Sequence, residues 1–290
     1  MDEQESIVCI GLPVYNGEKF LKNTLDSLLS QTLTNFDLII SDNASIDETQ
    51  NICQEYAKND KRIQYYRQPK NIGVISNHKF VLAKAKQKYF QWAASDDLWH
   101  STFLEKNIKI LENNEKLVGS ISEVKIGYNL QDDWKSIVEN IDPKNFTKGS
   151  HVQQICGTHS DRIKILLNLR EESALYSVYR TEILKKCVNV DELYVWAFQI
   201  LFQIAKFGET NVLDDVLMYK YEYGETGVSS ALSYIRKQKL PLKYVIFPHL
   251  HFTIWCTKNL GAKNVFKNFP LLLRYFLQGQ LQLLIDLYKK

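Results

Sequence analysis

The chain lacks the G-x-G-x-x-G turn after its first apolar run; residues 11–17 read Gly-Leu-Pro-Val-Tyr-Asn-Gly instead. That absence removes the pyrophosphate cradle of a nicotinamide- or flavin-dependent oxidoreductase. The same turn carries no glycine-rich basic loop, which argues against a sugar nucleotidyltransferase. Cysteine is sparse: Cys9, Cys53, Cys156, Cys187 and Cys256 show no C-x-x-C spacing, and several lie in apolar surroundings. This fits free thiols in a reducing compartment rather than a disulfide framework. Neither sign of charge dominates, since 36 Lys and Arg face 33 Asp and Glu for a formal net charge of +3. Such a balance gives no footprint for nucleic acid as a partner.

Long hydrophobic runs are missing too. The most apolar late stretch, residues 244–256, is too short to span a bilayer and is interrupted by Pro248, His249 and His251. The opening Met-Asp-Glu-Gln-Glu-Ser is acidic and polar, unlike a secretory signal, so a cytoplasmic location is expected. Only His249 and His251 lie close together among six histidines, and their aromatic context reads as packing rather than zinc ligation.

What is present is an apolar content of 45%, ample for a sizeable core. Apolar runs at 7–12, 36–41, 63–66 and 89–94 alternate with segments of helical spacing, the βαβα pattern of a parallel sheet. A first helix should carry Phe20, Leu21, Leu25, Leu28 and Leu29 on one face. A second should open on Ser45-Ile46-Asp47-Glu48 as a capping box. Further helices are expected at 76–86 and 101–113. Residues 118–148 turn polar and irregular and read as loops or short strands. Helical spacing returns at 161–169 and at 194–207, the latter closed by Gly208, and a short strand should follow at 211–221.

An open sheet of this kind binds its ligand at the carboxyl ends of its strands. Four loops meet there, and one holds adjacent carboxylates, Asp96 and Asp97, between a buried strand and apolar Leu98 and Trp99. Paired carboxylates repel unless a cation sits beside them, and Mg²⁺ or Mn²⁺ held by one or two carboxylates plus a diphosphate would supply it. Taken alone, the pair fits helix capping or a solvated loop better than a metal site. The other loops offer the aromatic Tyr15 and amide Asn16 after strand one. Asp42, at the end of strand two, could accept the imide N–H of uracil or thymine.

The stretches GLPVYNGEKFLKNTLDSLLSQTLTNFDLIISDNASIDET and NIGVISNHKFVLAKAKQKYFQWAASDDLW together resemble the nucleotide-binding half of family 2 glycosyltransferases. The resemblance implies a GT-A fold, an α/β architecture with a mostly parallel central sheet flanked by helices. It implies that Pro13 and Tyr15 hold the base, Asp42 reads uracil, and Asn71 and Gly73 line the nucleotide. Asp97 would be the metal ligand and Asp96 a residue near the ribose or metal. Asn43 departs from the pattern, because many members carry a second aspartate there. Inverting members put an aspartate near the start of a late helix as general base, and the aligned position here is Ala197. Alanine cannot take a proton, which makes Asp191 and Glu192, a few residues upstream, the candidate bases.

Three segments are expected: 1–115 as the nucleotide-sugar half, 116–232 as the acceptor half of the same domain, and 233–290 as a helical basic and aromatic extension. The resemblance implies a nucleotide-diphosphate-sugar donor, UDP- or dTDP-linked, and a glycan or lipid-linked acceptor. A catalytically impaired nucleotide-sugar-binding scaffold is the alternative that Ala197 raises. Residues 237–290 could contact a membrane peripherally or pack on the domain or on a second copy of the chain, as in a homo-oligomer.

Overall fold

A computed structural model describes residues 5–127, 146–147, 152–169, 172–190, 195–221, 247 and 249–288. The first half builds β1 (Val8–Val14), α1 (Leu21–Leu29), β2 (Phe36–Asp42), α2 (Thr49–Asn59), β3 (Ile63–Arg67), α3 (Val74–Lys84), β4 (Tyr89–Trp92), β5 (Leu98–Trp99) and α4 (Phe103–Asn113). β1 lies between β2 and β4 and is parallel to both, and β3 is parallel to β2 on its far side. These strands read as apolar runs because helices cover both faces of such a sheet. The fit is tight at Gly11, where a Cβ would lie 2.5 Å from the Phe90 ring.

The second half adds β6 (Leu117–Gly127), β7 (Phe146–Thr147), α5 (His159–Asn168), a 3₁₀ turn (Ser173–Tyr176), β8 (Val178–Arg180), α6 (Thr181–Cys187), α7 (Trp196–Ile204) and β9 (Glu209–Tyr221). Among the described residues the sheet order is β3-β2-β1-β4-β8-β6-β9-β5, with β7 on β6. β8 is antiparallel to both β4 and β6, and so joins the two halves. β6 and β9 are parallel, and β5 pairs antiparallel with β9.

Three sequence expectations change. Residues 117–127 form one long strand rather than loops or short strands. Its serines are buried but satisfied: the Ser120 hydroxyl donates to Asn107 Oδ1 at 2.8 Å, so polar residues sit inside the sheet without penalty. Residues 209–221 likewise make a strand of 13 residues, not a short one. Gly208 does not close α7, which ends at Ile204; a Cβ there would meet the Lys116 carbonyl oxygen at 2.7 Å. Part of the 118–148 stretch, residues 128–145, lies outside the described residues.

The C-terminal helices are α8 (Leu250–Asn259), α9 (Ala262–Lys267) and α10 (Phe269–Tyr288). α8 packs on the domain: the Phe252 and Trp255 rings lie 5.8 and 6.4 Å from Phe202 of α7. His249 stacks on Tyr275 with ring centroids 4.5 Å apart, a packing role.

Candidate active site

The loops after β1 and β2 are stitched together. Asn16 adopts a left-handed backbone, φ 54°, which its short amide tolerates. Its N–H donates to Ser45 Oγ at 2.9 Å, and its Oδ1 accepts from the Ile46 N–H at 3.0 Å. The Gly17 N–H donates to Thr49 Oγ1 at 2.7 Å. This network overturns the expected capping box. Ser45 is spent on the neighbouring loop, α2 starts four residues later at Thr49, and its N-cap residue, Glu48, makes no side-chain capping bond; Asp47 Oδ1 accepts from the Thr49 N–H at 3.1 Å instead. Pro13 is held within β1, while Tyr15 projects with 42% of its surface exposed.

Asp42 ends β2 fully buried. Its Oδ1 accepts from the Ser45 N–H at 2.8 Å; its Oδ2 accepts from the Tyr65 hydroxyl at 2.9 Å and from Arg67 Nη1 at 2.6 Å. Arg67 Nη2 also donates to the Ser45 carbonyl at 2.8 Å, so the guanidinium spans the carboxylate and the loop. Burial pushes the Tyr65 phenol upward, and the bond to the Asp42 carboxylate adds to the shift. Sequence reasoning left Asp42 without internal partners; the structure gives it three. A carboxylate has about four lone-pair sites, of which these bonds fill three.

Asn43 is the clamp on the third loop. Its Nδ2 donates to Asn71 Oδ1 at 3.1 Å and to the Gly73 carbonyl at 3.4 Å, while its Oδ1 accepts from the Ile72 N–H at 2.8 Å. A carboxylate could make only the last of these bonds. Gly73 precedes α3 with φ 87° and ψ 158°, a backbone that only glycine adopts readily.

The paired aspartates stand on a braced loop. The Thr24 hydroxyl, buried on α1, lies 3.0 and 2.9 Å from the carbonyls of Ser95 and Asp97 and shares its proton between them. The Trp99 N–H donates to Ser27 Oγ at 3.3 Å, and Leu98 and Trp99 are buried against α1. Asp97 is 2% exposed, Asp96 partly so. The Tyr221 N–H donates to Asp97 Oδ1 at 3.2 Å, and the Tyr221 ring lies 4.6 Å from that of Phe20. Among the described residues no group of three His, Cys, Asp or Glu could enclose a metal. Two adjacent carboxylates on a rigid loop instead suit a hard cation that takes its other ligands from phosphate and water.

In the second half of the chain, Ala197 sits in the first turn of α7 and is buried. Asp191 and Glu192 lie outside the described residues. The residues flanking them are tied to α3. Lys79 Nζ donates to the Val190 carbonyl at 3.4 Å, and the Trp196 ring lies 4.8 Å from His78, edge to face. His78 is half-buried, its Nδ1 2.8 Å from the Val74 carbonyl, and desolvation by the surrounding side chains pushes its imidazole down to about 4. Tyr65, Arg67, Thr24 and Tyr221 were not singled out from the sequence. Thr24, a hydroxyl amid the apolar spacing of α1, is the one position whose pattern could have flagged it.

Loops at the carboxyl ends of parallel strands, carrying an aromatic ring, amides and paired carboxylates, belong to an α/β fold of the GT-A type. The family model "Glycosyl transferase family 2" matches residues 9–188, and the chain belongs to that family. A glycosyltransferase of Rickettsia typhi is 34% identical over 43% of this chain and 37% of its own length. The "putative teichuronic acid biosynthesis glycosyltransferase TuaG" of Bacillus subtilis is 31% identical over 38% of this chain and 44% of its own length. The chain therefore spans less than half the length of these relatives, although a Methanocaldococcus jannaschii glycosyltransferase, 25% identical, matches over 90% of this chain and 83% of its own length. Among solved structures, S. aureus TarS in complex with UDP-GlcNAc aligns with a TM-score of 0.58 at 19% identity, over 94% of this chain and 81% of that one. The Pyrobaculum calidifontis mannosyltransferase PcManGT, in complex with GDP-Man and Mn²⁺, aligns with a TM-score of 0.55 at 12% identity, over 83% of this chain and 68% of that one. At these identities the likeness establishes the fold.

Proposed function

We propose that this glycosyltransferase moves a sugar from a nucleotide diphosphate of the UDP or dTDP type to a hydroxyl of a glycan or lipid-linked acceptor, with inversion at the anomeric carbon. The observation that carries the reading is the placement of Tyr15, Asp42, the Asn71–Gly73 loop and Asp97 at adjoining strand ends, the last three held by hydrogen bonds before any ligand arrives. Preorganised donors and acceptors lose little freedom on binding. The UDP-GlcNAc held by TarS and the teichuronic acid pathway of TuaG support a nucleotide sugar and a surface glycan.

Asp97, with Asp96 beside it, would hold Mn²⁺ or Mg²⁺, whose chemistry here is Lewis-acid neutralisation of charge on the departing diphosphate. Asp42 would accept the base imide N–H, and Tyr15 would cover the base. Asp191 or Glu192 would take the proton of the attacking hydroxyl. A cytoplasmic location, peripheral at the membrane through residues 237–290, fits a lipid-linked acceptor.

Calorimetric titration of UDP with Mn²⁺ tests the donor site. Asp97→Ala should abolish the metal-dependent part of binding; unchanged affinity would overturn the metal assignment. Buried Ala197 favours a second reading, a binding or scaffold protein that does not turn over. Hydrolysis of UDP-sugars that disappears in Asp191→Asn or Glu192→Gln supports the enzyme. UDP binding without turnover across a broad acceptor panel supports the scaffold.

A further inference from the structure

We infer that the outer stripe of α10 is a docking face for an anionic lipid surface. Phe269, Leu273, Leu277 and Leu281 recur at four-residue steps and are 57, 45, 54 and 59% exposed. Four-residue steps align side chains along one stripe, here about 18 Å long. Phe266 of α9, 86% exposed, extends it toward the N-terminal end. The opposite side of the helix is already committed. Leu272 is buried, Tyr275 stacks on His249, and Phe276 stacks on Phe247 at 6.0 Å. Among the described residues the outer row is thus a second, exposed apolar face, and exposed apolar rows of this kind mark interaction sites.

Charge selects the occupant. Residues 233–290 hold ten Lys or Arg and one acidic residue, Asp286. Lys263, Lys267 and Arg274 are exposed on α9 and α10, with Lys267 also close enough to Asp161 of α5 to help lower its carboxyl pKa. A second copy would bring the same positive side chains face to face, whereas an anionic bilayer complements them. No described helix is long and apolar enough to cross a membrane, so α10 would lie in the interface, its leucines in the acyl boundary and its basic side chains among the headgroups. This face is remote in sequence from the donor loops and stands without the proposed transfer reaction.

Co-sedimentation of the full chain with phosphatidylcholine vesicles, with and without about one-third phosphatidylglycerol, tests it. Binding should be at least about tenfold stronger to the anionic vesicles and should fall with added salt. Leu273→Asp with Leu277→Asp should lower partitioning about tenfold or more while UDP affinity, a check on folding, stays unchanged. Lys263→Gln, Lys267→Gln and Arg274→Gln together should erase the preference for anionic vesicles. Equal sedimentation of parent and leucine variant would overturn the inference, as would indifference of the parent to lipid charge. So would a leucine variant that changes from oligomer to monomer in light scattering with vesicle binding intact, since a second copy would then own the face.

Discussion

The main-chain N–H of Tyr221 donates to Oδ1 of Asp97 across 124 residues of sequence. The end of the last described sheet strand therefore fixes one carboxylate oxygen of the paired-aspartate loop. The same side chain is asked to brace the loop and, in the proposed reaction, to hold a metal.

Asparagine separates those tasks, because it keeps an acceptor oxygen but loses the charge. In Asp97→Ala the Tyr221 amide should exchange its hydrogen about tenfold faster, the worth of one net hydrogen bond. In Asp97→Asn that protection should persist while Mn²⁺-dependent UDP binding is lost. Equal protection of the Tyr221 amide in wild type and Asp97→Ala, read by hydrogen exchange, would mean that the bond does not brace the loop.

Asn43→Asp removes both donor bonds to Asn71 and Gly73 and sets a carboxylate against Asn71 Oδ1. The cost should be about 1–3 kcal/mol in urea unfolding, with UDP affinity weakened about tenfold as the Asn71–Gly73 loop loosens. Unchanged calorimetric affinity would show that the clamp does not shape the nucleotide site.

Ala44 follows with φ 62°, a left-handed backbone without the amide that excuses Asn16. That conformation costs an L-residue with a Cβ about 1–2 kcal/mol, and glycine gives back about 0.5–1 through its freer unfolded chain. Ala44→Gly should stabilise the protein by roughly 0.5–1 kcal/mol. A lower denaturation midpoint would contradict the strain.

His78 makes stability depend on acid. Burial pushes its imidazole from the ordinary 6.5 to about 4, so the folded protein holds it neutral where the unfolded chain binds a proton. More protons in the unfolded state mean that stability rises with pH through this window. The contribution is complete above pH 6.5 and is lost as pH falls toward 4, about 3 kcal/mol in all. His78→Phe keeps the ring beside Trp92 and Trp196 without the titration. Between pH 7 and 4.5 it should lose less stability than wild type; parallel losses in urea titrations would exclude this residue as the source.

Much of the first half of the fold was legible because strands covered on both faces must be apolar throughout. β1 to β4 announce themselves in that way, and the family motifs fall on their carboxyl ends. The bonds that finish the site were not legible. Ser45 and Glu48 carry the letters of a capping box, yet Ser45 serves the loop after β1, a choice set by tertiary contact rather than local order. Tyr65 and Arg67 look like ordinary strand residues until β3 is laid beside β2 and both reach Asp42. β6 escaped recognition because buried Ser120 and Ser122 imitate a loop when their partners are unknown. Tyr221 could not be read at all, since its contribution is a backbone N–H that every residue but proline possesses.

The pairing of Leu98 and Trp99 with Tyr219 and Met218 bears on how the protein is made. When Trp99 leaves the ribosome, every donor loop exists, but the strand edge that covers this one has yet to be synthesised. Until β9 arrives, the indole of Trp99 lacks its partner strand and Asp97 lacks the Tyr221 amide. A nascent chain arrested between α4 and β9 thus holds all four loops and still lacks the last brace of the paired-aspartate loop, so translation itself delays completion of the proposed site.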